Sequence, residues 1–239
     1  PIVKTLNAGN PPCHAFSLTL YFSHILNPLL TPHCTSMTGT LYVVSAPSGA
    51  GKTSLVKALI ESTDDLGVSI SHTTRPIRPG ETHGINYHFV DVSEFQRLLG
   101  QADFLEHAEV FGNYYGTSKS WVNQQLDDGQ DVILEIDWQG AEQVRRQIPE
   151  SIGIFVLPPS QAALEQRLKG RGQDPDDVIQ HRLAQAAQEI AHHVEYDYLI
   201  INDEFDLALA ELKSIIHSQR LCIGPQATRH ETLIRNLLS

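Results

Sequence analysis

The stretch Ala46-Pro-Ser-Gly-Ala-Gly-Lys-Thr53 constrains the fold more than any other part of the chain. It lies between the apolar run Leu41–Ser45 and an apolar-periodic stretch through Leu55, Leu59 and Ile60. A strand feeding a glycine-rich turn that opens a helix is the context of a phosphate-binding P-loop. Small residues let backbone N–H groups turn inward around phosphate oxygens, and the helix presents its positive N-terminal end to them. Ala46, Pro47, Ser48, Gly49, Ala50, Gly51, Lys52 and Thr53 are therefore expected to bind a nucleoside triphosphate. Lys52 is expected to reach the β- and γ-phosphates, and the Thr53 hydroxyl to bind Mg2+. Ala46 stands where glycine is usual; its methyl costs little if its φ is negative.

From Met37 onward strands and helices alternate. Strands are expected at Leu41–Ser45, Val132–Ile136, Ile152–Leu157 and Tyr198–Ile201, with helices at Gly140–Ile148, Gln161–Lys169 and Phe205–His217. Near-continuous apolar strands joined through helices indicate a parallel sheet covered on both faces. Residues 71–118 break the rhythm, with a short strand at Tyr87–Val90 and a helix from Ser93 that Gln96 could close as a capping box. Residues 170–194 begin Gly170-Arg-Gly-Gln-Asp-Pro175 and continue as a polar helix, the pattern of a flap. Asp137, after the strand Val132–Ile136, sits where P-loop enzymes keep an acid that orients Mg2+ through water; it is also a good helix N-cap.

Seventeen basic against 28 acidic residues give a formal charge of −11. That excludes the broad basic surface of a nucleic-acid or anionic-membrane binder, leaving room for a small basic pocket. Cys13, Cys34 and Cys222 follow no metal spacing, and their odd number makes a poor disulfide framework, so a reducing cytoplasmic setting is expected. The histidines, His192 and His193 included, lack metal-ligand partners, and Trp121 and Trp138 read as packing groups. Residues 1–36 differ from the rest: their one charge is Lys4, and their apolar bursts are too short and broken for a membrane span or signal peptide. They read as a non-native or mis-started extension before Met37, the sole methionine.

Ser71-His-Thr-Thr-Arg-Pro-Ile-Arg78 carries two arginines around a stiffening proline, and arginine forks match phosphate oxygens bidentately. Gly80–Tyr87, Phe104-Leu-Glu106 and Gly112-Asn-Tyr-Tyr-Gly-Thr117 follow. With Ile136-Asp-Trp-Gln-Gly140 and Gly170-Arg-Gly172, these motifs in this order closely resemble the guanylate kinase family of bacterial type, over Met37 to about Arg220.

The resemblance implies an α/β P-loop kinase fold: a parallel sheet core flanked by helices, with inserted GMP-binding and lid subdomains. The core would hold 37–70, 119–167 and 195–220, the GMP-binding part 71–118 and the lid 168–194, with 221–239 as a C-terminal tail. It implies transfer of the ATP γ-phosphoryl group to GMP, with dGMP as a second acceptor, Mg2+ as cofactor and a place in purine nucleotide metabolism. Arg75, Arg78, Tyr87 and Tyr115 would hold the GMP phosphate, and Ser71, Glu106 and Thr117 would read guanine. Arg167, Arg171 and Arg182 would close over the triphosphate, joining Lys52, Arg75 and Asp137 in catalysis, while Asn202 and Asp203 would meet adenine. A kinase for ribose phosphates is the weaker reading, because a sugar gives Glu106 and Thr117 nothing to recognise. An inert scaffold is disfavoured by the intact Lys52-Thr53 pair. Leu233, Ile234, Leu237 and Leu238 suggest a packed or self-associating tail helix, and so a homo-oligomer.

Overall fold

The computed structural model describes residues 39–110, 112–170 and 176–239. The expected extension 1–36, Met37 and Arg171 lie outside the described residues. In chain order the elements begin β1 (Leu41–Ser45), α1 (Lys52–Glu61), β2 (Leu66–Val68), β3 (His72–Thr73), β4 (His88–Phe89) and α2 (Val92–Gly100). Next come β5 (Phe104–Val110), β6 (Asn113–Ser118), α3 (Lys119–Asp127), β7 (Asp131–Glu135), α4 (Trp138–Gln147) and β8 (Ile152–Leu157). The chain continues with α5 (Gln161–Lys169), α6 (Asp176–Ala191), a short 3-10 turn at His192–Glu195, β9 (Tyr198–Ile201), α7 (Phe205–Arg220), α8 (Ile223–Arg229) and α9 (Glu231–Leu238).

Five strands form a parallel sheet in the order β2-β7-β1-β8-β9. Alternation along β1 divides its side chains between two cores. Tyr42 and Val44 pack with Leu55, Val56 and Leu59 of α1 and with Ala208, Leu212 and Ile216 of α7. Leu41 and Val43 pack on the opposite face with Val122 and Leu126 of α3 and Ala141 and Val144 of α4. Burial on both faces explains why β1, β7 and β8 read as apolar runs. Arg220 pins the end of α7: its Nε donates to Asp131 Oδ2 at 2.8 Å, and Asp131 Oδ1 accepts from Thr40 N at 2.7 Å.

A second sheet, β4-β3-β6-β5, is built from residues 72–118. α2 covers it through Phe95, which stacks on Phe104 at 4.5 Å and on Tyr114 at 5.4 Å between ring centroids. A β-bulge between Phe104 and Glu106 shifts the β5–β6 register, and such bulges re-aim side chains beside functional sites. Two expectations are corrected here. The strand at Tyr87–Val90 shortens to His88–Phe89, and α2 begins at Val92 rather than Ser93. Its cap is Asp91, whose Oδ1 accepts from Glu94 N at 2.8 Å, because a carboxylate meets the helix N-terminus more strongly than the Ser93 hydroxyl, which itself donates to Asp91.

α6 packs on α5 through Ile179 and Ala186 against Leu164 and Leu168. α9 leaves Leu233, Ile234, Leu237 and Leu238 exposed. Among the described residues no helix is long and apolar enough to cross a membrane, and no three or more His, Cys, Asp or Glu side chains gather into a metal-binding cluster.

Candidate active site

The P-loop leaves the C-terminal end of β1 and opens α1. Gly49 and Gly51 have φ of 94° and 93°, a left-handed conformation that glycine adopts without strain, whereas Ala46 is not among the residues with positive φ, so its methyl is tolerated as expected. The space around the loop is also tight. A Cβ on Gly49 would lie 3.0 Å from Leu164 and Leu168, and one on Gly51 would lie 2.4 Å from Asn202 Nδ2. The loop lines a cavity of about 300 Å3 shared with Glu189 of α6. A larger, shallow depression of about 600 Å3 between α1 and α7, lined by Ser62, Lys213, His217 and Arg220 among others, holds no residue of this site.

Lys52 is half-buried and donates from Nζ to Ile136 O at 3.1 Å. Burial lowers its pKa from the usual lysine range, and the carboxylates of Glu135, Asp137 and Glu189 oppose that shift. The Thr53 hydroxyl donates to Glu135 Oε1. Asp137 is the N-cap of α4, its Oδ1 accepting from Gly140 N at 2.9 Å, so the capping role holds. Glu189 Oε2 accepts from Ser48 N at 3.3 Å, and burial raises its pKa. Hydroxyl and carboxylate oxygens around Thr53 form the hard donor set that suits Mg2+.

The sequence expectations meet unevenly in space. Asn202, expected at adenine, is buried behind the P-loop, where its Nδ2 donates to Ala50 O at 2.7 Å. Arg167, expected over the triphosphate, belongs to α5. Its guanidinium reaches Asn202 O at 2.9 Å and Ala50 O at 3.5 Å, bracing the loop from behind. Asp203 is exposed, and Arg182 is half-buried on α6.

Ser71, Glu106 and Thr117 do come together, across β5 and β6. Thr117 Oγ1 donates to Glu106 Oε1 at 2.6 Å, and Ser71 Oγ lies 3.4 Å from Thr117 Oγ1. Glu106 is only 6% exposed, and its Oε2 lies against α4, 3.2 Å from where a Cβ on Gly140 would stand. Burial pushes the Glu106 pKa up to about 7, the Asp137 charge adding to the shift and the Thr117 hydrogen bonds opposing it.

Arg75, Tyr87 and Tyr115 also converge. The Arg75 guanidinium lies 5.5 Å from the Tyr87 ring centroid, and the Tyr87 and Tyr115 rings meet edge to face at 6.0 Å. Burial raises the Tyr87 pKa, with the neighbouring Tyr115 adding to the shift. Arg78 presents an exposed side chain on the same loop.

Two residues of the site escaped sequence reasoning. Glu135 carried one signal, an acid directly after the apolar run Val132–Leu134 and two positions before Asp137. Glu189 carried none, since it lies in a polar helix among other charges.

A model of the family described as guanylate kinase matches residues 38–219. The guanylate kinase of Hahella chejuensis is 59% identical over 201 residues, covering 84% of this chain and 97% of that protein. That of Saccharophagus degradans is 57% identical over 202 residues, covering 84% and 98%. The crystal structure of guanylate kinase from Anaplasma phagocytophilum is similar with a TM-score of 0.64 at 33% identity, covering 79% of this chain and 90% of that one. Matched from the start of its parallel sheet through α7, and by relatives along almost their whole length, the chain belongs to the guanylate kinase family.

Proposed function

We propose that this enzyme transfers the γ-phosphoryl group of ATP to GMP, giving ADP and GDP in purine nucleotide metabolism and GMP recycling. One observation carries the choice of acceptor: Glu106, a buried carboxylate held by the Thr117 hydroxyl beside Ser71. When ionised, its oxygens accept from guanine N1–H and the exocyclic amine, whereas adenine has no N1–H to give. A buried polar group left unpaired by the wrong substrate supports discrimination on the order of 10⁴.

In this reading residues 71–118 bind GMP and 168–194 act as the lid. Arg75, Arg78, Tyr87 and Tyr115 hold the GMP phosphate, and Lys52 and the P-loop N–H groups hold the donor. The transferring group gathers charge rather than forming new covalent bonds to protein, so positioning and charge neutralisation carry the rate. The GMP phosphate is already an anionic nucleophile, and no general base is required. Thr53 and Asp137 would hold Mg2+, which when bound neutralises charge developing on the phosphate oxygens. Arg171 and Arg182 would come from the lid to shield the transfer from water. Arg167 and Asn202 act one step back, by fixing the loop. dGMP is a second acceptor, since the guanine-reading set is assigned to the base alone. The acidic composition argues against nucleic-acid or anionic-membrane partners, and the cysteines, whose odd number makes a poor disulfide framework, fit a cytoplasmic setting.

The test is an ADP-release assay with GMP, dGMP, AMP and ribose phosphates as acceptors. Turnover with GMP and dGMP is expected, with AMP lower by about 10⁴ in kcat/KM. Absence of turnover with millimolar GMP overturns the proposal.

A further inference from the structure

Glu81 has no role in the reading above, yet the loop between β3 and β4 is tied together through it. Its Oε1 accepts from Arg75 Nη2 at 2.8 Å and its Oε2 from the Arg78 backbone N–H at 2.9 Å. Its own N–H donates to Arg78 O at 3.1 Å, closing a turn in which Gly80 has φ 88°. Arg75 Nη1 donates to Pro76 O at 2.8 Å. The guanidinium also sits 5.7 Å from the Phe89 ring centroid, beside its contact with Tyr87. The Arg75 side chain is 10% exposed and that of Glu81 19%. The Glu81 hydrogen bond raises the Arg75 pKa, and the Arg75 hydrogen bond lowers that of Glu81, so the pair is ionic at neutral pH.

A guanidinium is planar, with five N–H groups in a rigid fork. Fixing one N–H on Glu81 and another on Pro76 O fixes the plane, and with it the directions of the other three. We infer that Glu81 is a positioning residue for the acceptor phosphate, setting the plane of Arg75 and holding the Arg78 backbone to the same carboxylate. The inference rests on Arg75 being a phosphate ligand, as proposed above.

Two effects of Glu81 on GMP binding have opposite signs. As a negative charge near the phosphate it weakens binding, by about threefold at most through water and salt. As a clamp it strengthens binding, because an unclamped arginine must be ordered each time GMP arrives. One well-placed charge-assisted bond is worth about tenfold or more. The clamp therefore wins if it acts through Arg75, and the sign of the mutational effect separates the two.

The experiment is calorimetric titration of the full chain with GMP and, separately, with ATP. Glu81→Gln keeps the size but turns an amide donor toward one of two donors. It is expected to weaken GMP binding about tenfold, with ATP affinity and thermal midpoint near the parent's. Glu81→Asp keeps the charge but loses the reach and is expected to weaken GMP binding as well, which preserves the test if the glutamine variant folds poorly. In the Arg75→Ala background Glu81→Gln should cost clearly less than in the parent, because the part of its effect that passes through Arg75 is already lost and only its hold on the Arg78 backbone remains. Unchanged or tighter GMP binding in Glu81→Gln, parent-like affinity in Glu81→Asp, or additive losses in the double variant overturn the positioning role while leaving Arg75 a phosphate ligand. Parent-like GMP affinity in Arg75→Ala removes the phosphate reading itself, and the role of Glu81 with it.

Discussion

Glu106→Gln should make the protein more stable and a worse enzyme at once. A folded-state pKa of about 7, raised from 4.5 by burial, means that folding disfavours the ionised carboxylate. The sign follows from linkage: below pH 4.5 the group is neutral in both states and costs nothing, the penalty grows as pH rises from 4.5 to about 7, and above that it is constant. At about 1.4 kcal/mol per pH unit, the penalty is on the order of 3 kcal/mol at pH 8 and below about 1 kcal/mol at pH 5. Glutamine is neutral at both, and its carbonyl can still accept from Thr117. Thermal unfolding should therefore show the variant roughly 5–10 °C above the parent at pH 8, the gap closing toward pH 5. GMP loses two charge-assisted hydrogen bonds, each about 1.5–3 kcal/mol. The kcat/KM for GMP should fall about 10²-fold to 10⁴-fold while the KM for ATP stays near the parent's. A variant no more stable than the parent at pH 8, a gap independent of pH, or equal losses for both substrates would refute the reasoning.

Two further outcomes are expected. Lys52→Ala should lower kcat by about 10²-fold or more without lowering the thermal midpoint, because the desolvated ammonium is itself disfavoured by the fold; steady-state kinetics and a melting curve check both halves. Glu189→Gln removes a carboxylate seated on the Ser48 N–H of the phosphate loop and should tighten ATP binding roughly threefold to tenfold, most at high pH, where the parent's Glu189 is ionised; equal ATP affinity in titrations at pH 8 would contradict it.

What the sequence revealed depended on which physics shaped each segment. β1, β7 and β8 are buried on both faces, so their apolar runs and the loop after Ser45 could be read directly, while edge strand β9 is legible from its apolar residues although Leu199 and Ile201 are exposed. β5 and β6 went unread as strands because Glu106, His107, Glu109, Asn113 and Thr117 interrupt any apolar alternation. Glu106 and Thr117 are residues of the candidate site, so the polar side chains proposed for its chemistry hid its secondary structure. The convergence of Ser71, Glu106 and Thr117 was legible as a motif. The placement of Arg167 and Asn202 was not, because spacing along the chain says nothing of a side chain that turns back to brace a loop. At α2 two good capping residues stood two positions apart, and only charge decided between Asp91 and Ser93.

The bond between Asn202 and the Ala50 carbonyl joins groups separated by 152 residues. A contact of that sequence separation raises the contact order of the fold and closes a long loop, which delays its formation relative to local structure. During synthesis the phosphate loop emerges early, in the first βα unit of the sheet, but its buried brace arrives only after β9 has left the ribosome. The loop thus reaches its finished shape only when nearly the whole sheet is assembled, which ties nucleotide binding to completed folding rather than to the presence of the motif.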